Sequence, residues 1–122
     1  MSEGDVTVRC LTPPGSAAIA VLEMRGEGAW HLVREQFRPL SREPLPESPA
    51  AGLLTPGSLG PPPGDEVVLA VRAAEPKPTI EIHCHGGDEV VRWLIETIAA
   101  AGASVAGLCE AGPRVQPTRG PA

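Results

Sequence analysis

Ile80-Glu81-Ile82-His83-Cys84-His85-Gly86-Gly87 decides the fold, because the period of the side chains changes inside it. Up to His85 apolar and ionisable residues alternate, the period of a strand with one buried face. Beyond the glycine pair, Val91, Leu94, Ile95 and Ile98 recur at i, i+3, i+4 and i+7, the stripe of an amphipathic helix. The junction therefore reads as a strand from Thr79 to Cys84 running into a helix from about Asp88 to Ala101, which Gly102 stops. On the strand, Ile80, Ile82 and Cys84 are expected to face the core, with Glu81, His83 and His85 in a row on the other face.

Outward from this unit, Ser104 to Leu108 reads as a last strand, and Glu66 to Val71 as a buried strand closed by Glu75-Pro76-Lys77-Pro78. Between Pro39 and Gly64, eight prolines exclude one continuous regular element. Gly52-Leu53-Leu54-Thr55 is expected to pair briefly as an edge strand, and Gly60-Pro61-Pro62-Pro63-Gly64 to form an exposed excursion. In the first third, residues 5 to 10 alternate as a strand, Thr12-Pro13-Pro14-Gly15 makes a turn, and Ala18 to Met24 is a second strand. Trp30, Val33 and Phe37 then mark a helical face over Ala29 to Phe37. The order β, β, α, β, β, α, β predicts an α+β fold: a small mixed or antiparallel sheet, or half-barrel, with two helices on one face. Length fits one domain over residues 1–111, with residues 112–122 as a flexible tail.

Composition narrows the function. Fifteen acidic against ten basic residues give a net charge of −5, so no direct nucleic-acid binding is expected from a broad basic face. There is no apolar run of bilayer-spanning length and no signal-peptide pattern, so no membrane partner is expected and the localisation is read as cytoplasmic. Cys10, Cys84 and Cys109 are widely spaced, which suggests reduced thiols and no CxxC zinc site. Cys84, pointing inward, is expected to be an inert buried thiol, and Trp30 and Trp93 to be core residues.

The row Glu81, His83, His85 could bind a polar ligand or relay a proton, since a carboxylate can hold an imidazole in one tautomer. A solvated sheet face is the alternative reading. His83 and His85 could also hold a transition metal, but no third ligand is found, and no metal site is assigned. Gly86-Gly87 is read first as tight strand-to-helix packing, with anion contact at the helix start second. The phosphate-binding loop G-x-x-x-x-G-K-[ST] is not found, since the one lysine, Lys77, lies between two prolines. No G-x-S-x-G elbow is found either.

Thr12-Pro13-Pro14-Gly15 with the strand after it and Gly26, together with Ile80 to Gly87 and its helix, resembles the N-terminal domain of the tRNA-modifying GTPase family MnmE, also called TrmE. The order and separation of these segments match, and the resemblance spans most of residues 5 to 108. It implies a fold similar to the folate-binding part of aminomethyltransferases, a homodimer, and 5-formyl-tetrahydrofolate held at the dimer interface as one-carbon donor for the wobble uridine. The family's glutamate is matched by Glu81, which could hydrogen-bond a pterin edge, with His83 and His85 beside it. The family's arginine in the second strand falls on Glu23, and Arg25 lies two residues on, on the same face. The family's lysine has no match in Glu110-Ala111-Gly112-Pro113-Arg114, and its Tyr-Thr-Gly-Glu loop is replaced by Glu75-Pro76-Lys77-Pro78. The resemblance thus leads to a divergent, stand-alone dimerisation or docking module with weakened or lost folate binding and no enzymatic activity of its own. Alternatives are a working folate-binding subunit served by separate GTPase and catalytic chains, and a small metal-binding protein.

Overall fold

The computed structural model describes residues 6–12 and 18–107. Asp5, the Pro13-Pro14-Gly15 turn, Leu108, Cys109 and the expected tail at 112–122 lie outside the described residues. The elements are β1 (Thr7–Cys10), β2 (Ile19–Arg25), α1 (Ala29–Gln36), β3 (Phe37–Pro39), β4 (Leu54–Leu59), β5 (Asp65–Ala73), β6 (Thr79–His85), α2 (Asp88–Ala100) and β7 (Ser104–Gly107). The strands form one mixed sheet in the order β3-β4-β5-β6-β2-β1-β7, antiparallel except for the β1–β7 pair. The expected α+β class and two helices are present.

One sheet face carries the core. Val8 and Cys10, then Ala20, Leu22 and Met24, then Val67, Leu69 and Val71, then Ile80, Ile82 and Cys84 are all buried. These are the alternate residues of β1, β2, β5 and β6, as the pleat requires. Val91, Leu94, Ile95 and Ile98 of α2 and Ala29, Trp30, Leu32 and Val33 of α1 close over them in the same cluster. Residues 80–84 thus face as their alternation predicts. Trp93 does not join the core. It is 40% exposed, because its place on α2 falls outside the stripe of Val91, Leu94, Ile95 and Ile98.

The Pro-rich stretch departs most from expectation. α1 ends at Gln36, and Phe37 opens the extended β3, its N–H donating to the Val33 carbonyl. The ring of Phe37 is still buried, but a strand positions it, so the 29–37 helical face was one residue too long. The brief edge strand expected at 52–55 is instead the six-residue β4, flanked by β3 and β5. Pro56 is tolerated there for a reason of parity. Along β4, Pro56 and Gly60 turn their polar backbone groups toward β3, since the Pro56 carbonyl accepts from Leu40 N–H at 2.9 Å and Gly60 N–H donates to the Gln36 carbonyl at 2.9 Å. The missing N–H therefore removes no bond to β5, and β3 is only three residues long. Gly57, beside it, has no room for a side chain: a Cβ would overlap the Arg38 carbonyl oxygen and the Phe37 ring. The rest of the excursion is tied down by Trp30 Nε1–H, which donates to the Pro46 carbonyl at 2.9 Å.

At the N-terminal end, Thr12 Oγ1 accepts from Val21 N–H at 2.8 Å and Leu11 N–H donates to the Val21 carbonyl at 2.8 Å. These two bonds extend the β1–β2 pairing to Thr12, the first residue of the predicted turn.

Candidate functional site

The second face of the sheet carries the predicted row, and no helix covers it among the described residues. Register sets its order. Glu81 faces Glu23 on β2 and Ala70 on β5, His83 faces Val21 and Val68, and His85 faces Ile19. Glu23 in turn faces Arg9 on β1.

Two carboxylates opposed across strands would repel, and each has a cation beside it. Arg9 Nε lies 3.1 Å from Glu23 Oε1, and Arg72 Nε lies 3.7 Å from Glu81 Oε2. Glu81 Oε1 is also 3.0 Å from His83 Nε2, two residues along the same strand face. Both glutamate side chains are largely covered, at 17% and 18% exposure, which makes their pairing worth more than that of a fully solvated ion pair. The signs run plus, minus, minus, plus from Arg9 through Glu23 and Glu81 to Arg72.

His83 and His85 open into a groove of about 710 Å³. Its apolar wall includes Ile19, Pro39, Leu40, Pro56 and Val68, and Arg38 and Arg42 supply its cations. Glu81 is not among the residues lining it. The structure therefore brings Glu81 and His83 into contact and sets His83 and His85 in one groove. Arg25 stands apart. It pairs with Thr79, at the end of β2 opposite to the Ile19–His85 pair, and the cations beside the two glutamates are Arg9 and Arg72. The cation paired with Glu23 is Arg9. Nothing in a motif marks Arg9, Arg72, Arg38 or Arg42, whose places depend on strand register and on the path of the Pro-rich segment.

Of the glycine pair at the junction, Gly86 is buried and Gly87 is exposed. Gly87 is the residue before α2, with φ −65°, and a Cβ there would meet nothing within 4 Å, so packing does not require glycine at 87. Asp88 and Glu89 already place carboxylates in the first turn of α2, where they complement the helix dipole and would repel an added anion. Cys84 is buried, and its thiol is pushed up from 9.0 to about 11 by burial first, then by Cys10 and Asp65 nearby. A thiol held protonated at neutral pH is a poor nucleophile. Among the described residues no group of three His, Cys, Asp or Glu side chains is placed to hold a metal ion, so His83 and His85 remain two potential ligands. Among the described residues no helix is long and apolar enough to cross a membrane.

No protein-family model matches the chain. Curated proteins do. It is 32% identical over 106 residues to the tRNA modification GTPase MnmE of Thermotoga petrophila, covering 84% of this chain and 23% of that protein. The MnmE of Syntrophotalea carbinolica is 32% identical over 113 residues, covering 87% and 24%, and that of Heliobacterium modesticaldum is 29% identical over 111 residues. The chain thus spans about a quarter of the length of the curated relatives it matches.

Proposed function

Because the chain belongs with the N-terminal domain of the tRNA modification GTPase MnmE, we propose that it serves tRNA modification as a dimerising module whose one-carbon folate site is weakened. The observation that carries this reading is the sheet face that no helix covers among the described residues. Leu54 is 68% exposed and Ile19 54% exposed on it; Leu54 stands in line with the charge row from Arg9 to Arg72, and Ile19 lies along β2 from it, opposite His85. A palindromic row is self-complementary: a two-fold-related copy displaced along it sets the arginines of each copy against the carboxylates of the other, while the exposed aliphatics supply apolar contact.

The residues present do not fit the folate set that the resemblance implies. Glu81 is available as an acceptor, but His83 and Arg72 already engage it, and Glu23 presents a second negative charge directly opposite. Where the family offers a cation to the anionic folate this chain has Glu23, and the arginine beside it, Arg9, is already paired with that carboxylate. We assign no chemical step to this site. Nucleotide hydrolysis is likewise not assigned to these 122 residues, which contain no phosphate-binding loop.

Light scattering across a concentration series tests the module, with a dimer mass expected and a concentration-independent monomer mass overturning it. Calorimetric titration with 5-formyl-tetrahydrofolate tests the ligand. Micromolar binding that Glu81→Ala abolishes would mean that the site is intact and that the chain is a folate-binding subunit.

A further inference from the structure

A second groove, of about 640 Å³, lies between α1 and the segment after β3. It shares Pro39, Arg38 and Arg42 with the histidine groove and otherwise has its own walls. Arg34, Arg38 and Arg42 all line it, spaced four residues apart although the helix stops at Gln36. The first sits in the last turn of α1, the second on β3 opposite Ser58, and the third in a turn closed by its own N–H to the Pro39 carbonyl at 3.0 Å. Arg42 has φ 71°, the one positive value of a non-glycine residue among those described. The left-handed region is strained for an L-residue with a side chain, and the outcome of this turn is a guanidinium on the wall common to both grooves.

None of the three arginines makes an ion pair among the described residues, unlike Arg9 and Arg72. Of the carboxylates lining the groove, Glu35 Oε2 lies 3.1 Å from His31 Nε2, and Glu43 has no such partner among the described residues. Clustered guanidinium groups repel one another until an anion enters, and their planar fork matches a phosphate oxygen pair better than an ammonium does. Phe37, Pro39 and Leu45 add an apolar side to the same groove. A phosphate beside a flat apolar body is the chemistry of a nucleotide, and the volume lies within the range of about 300–1,000 Å³ usual for small-molecule sites.

We propose that this groove binds the phosphate of a nucleotide, free or within an RNA strand. The net charge of −5 argues against a broad basic face and leaves a local cluster of this kind intact. The proposal does not depend on the pairing of two copies.

Fluorescence anisotropy with a labelled short single-stranded RNA, competed by AMP, tests it on the full chain. Arg38→Gln and Arg42→Gln are each expected to weaken binding about tenfold and to lower the salt slope by about one. Arg38→Lys recovers part of the loss, because it restores charge without the fork, and Glu43→Gln tightens binding. Arg92→Gln, on the exposed side of α2, leaves it unchanged. Competition by AMP identifies a mononucleotide site, and its failure alongside RNA binding identifies a strand site. Three results overturn the proposal: neither probe binds at low salt, a polyglutamate peptide binds as tightly as RNA, or Arg92→Gln costs as much as Arg38→Gln. All three lining arginines are exposed, and circular dichroism of each variant verifies that the fold is kept.

Discussion

The two faces of β6 are built from interleaved residues and obey different physics. On the inner face Ile80, Ile82 and Cys84 are at most 2% exposed, and their contribution comes from area removed from water and from close packing. On the outer face Glu81 and His83 lie 3.0 Å apart, with Arg72 3.7 Å from the other Glu81 oxygen, held by charge in partial contact with solvent. The inner face is therefore expected to dominate stability, leaving the outer face free to vary in sequence and in role.

The sharpest way to break this contrast is Ile82→Ala. It is expected to cost about 3 kcal/mol in denaturant unfolding, the usual range for emptying a buried aliphatic site, and a loss below about 1 kcal/mol would mean that the inner face is not the framework. Gly57→Ala comes next. The added methyl must displace the Phe37 ring and the Arg38 backbone, so about 1–3 kcal/mol is expected, together with weaker hydrogen-exchange protection of Leu40 and Gly60.

Cys84 sharpens the contrast by pH. Its thiol pKa is raised in the folded chain from 9.0 to about 11, so between those values the folded state holds a proton that the unfolded state has released. Stability should then fall as pH rises through this window, and Cys84→Ala should flatten that limb of a denaturation series. The smallest effect belongs to the outer face. Glu81→Gln should change stability by under about 1 kcal/mol, because the partners of Glu81 are considerably solvated, Arg72 being 64% exposed. A cost as large as that of Ile82→Ala would place Glu81 in the structural framework.

The strand, the glycine junction and α2 were readable because both periods are local: two residues for the strand, three and four for the helix. Val91, Leu94, Ile95 and Ile98 needed no knowledge of what they pack on. Glu81, His83 and His85 were readable as a row for the same reason. Arg9 beside Glu23 was not, because that contact depends on the register of two strands joined through residues 11–18. β4 was hidden by its own prolines, since composition cannot tell which way a missing N–H points. The arginines at 34, 38 and 42 are evenly spaced in sequence, but a helix, a strand and a turn carry them, so no single period brings them together.

The β3 edge has a consequence for the solubility of the whole sheet. Backbone parity turns Phe37 and Pro39 outward, and neither has an N–H to offer: one is already bonded to Val33, and the other does not exist. An unfolded or foreign strand arriving at this border meets no free N–H at these two residues, and the Pro39 carbonyl is already taken by Arg42 N–H at 3.0 Å. Among the described residues, addition of a chain at the β3 border is thus disfavoured by a single imino acid and a helix end.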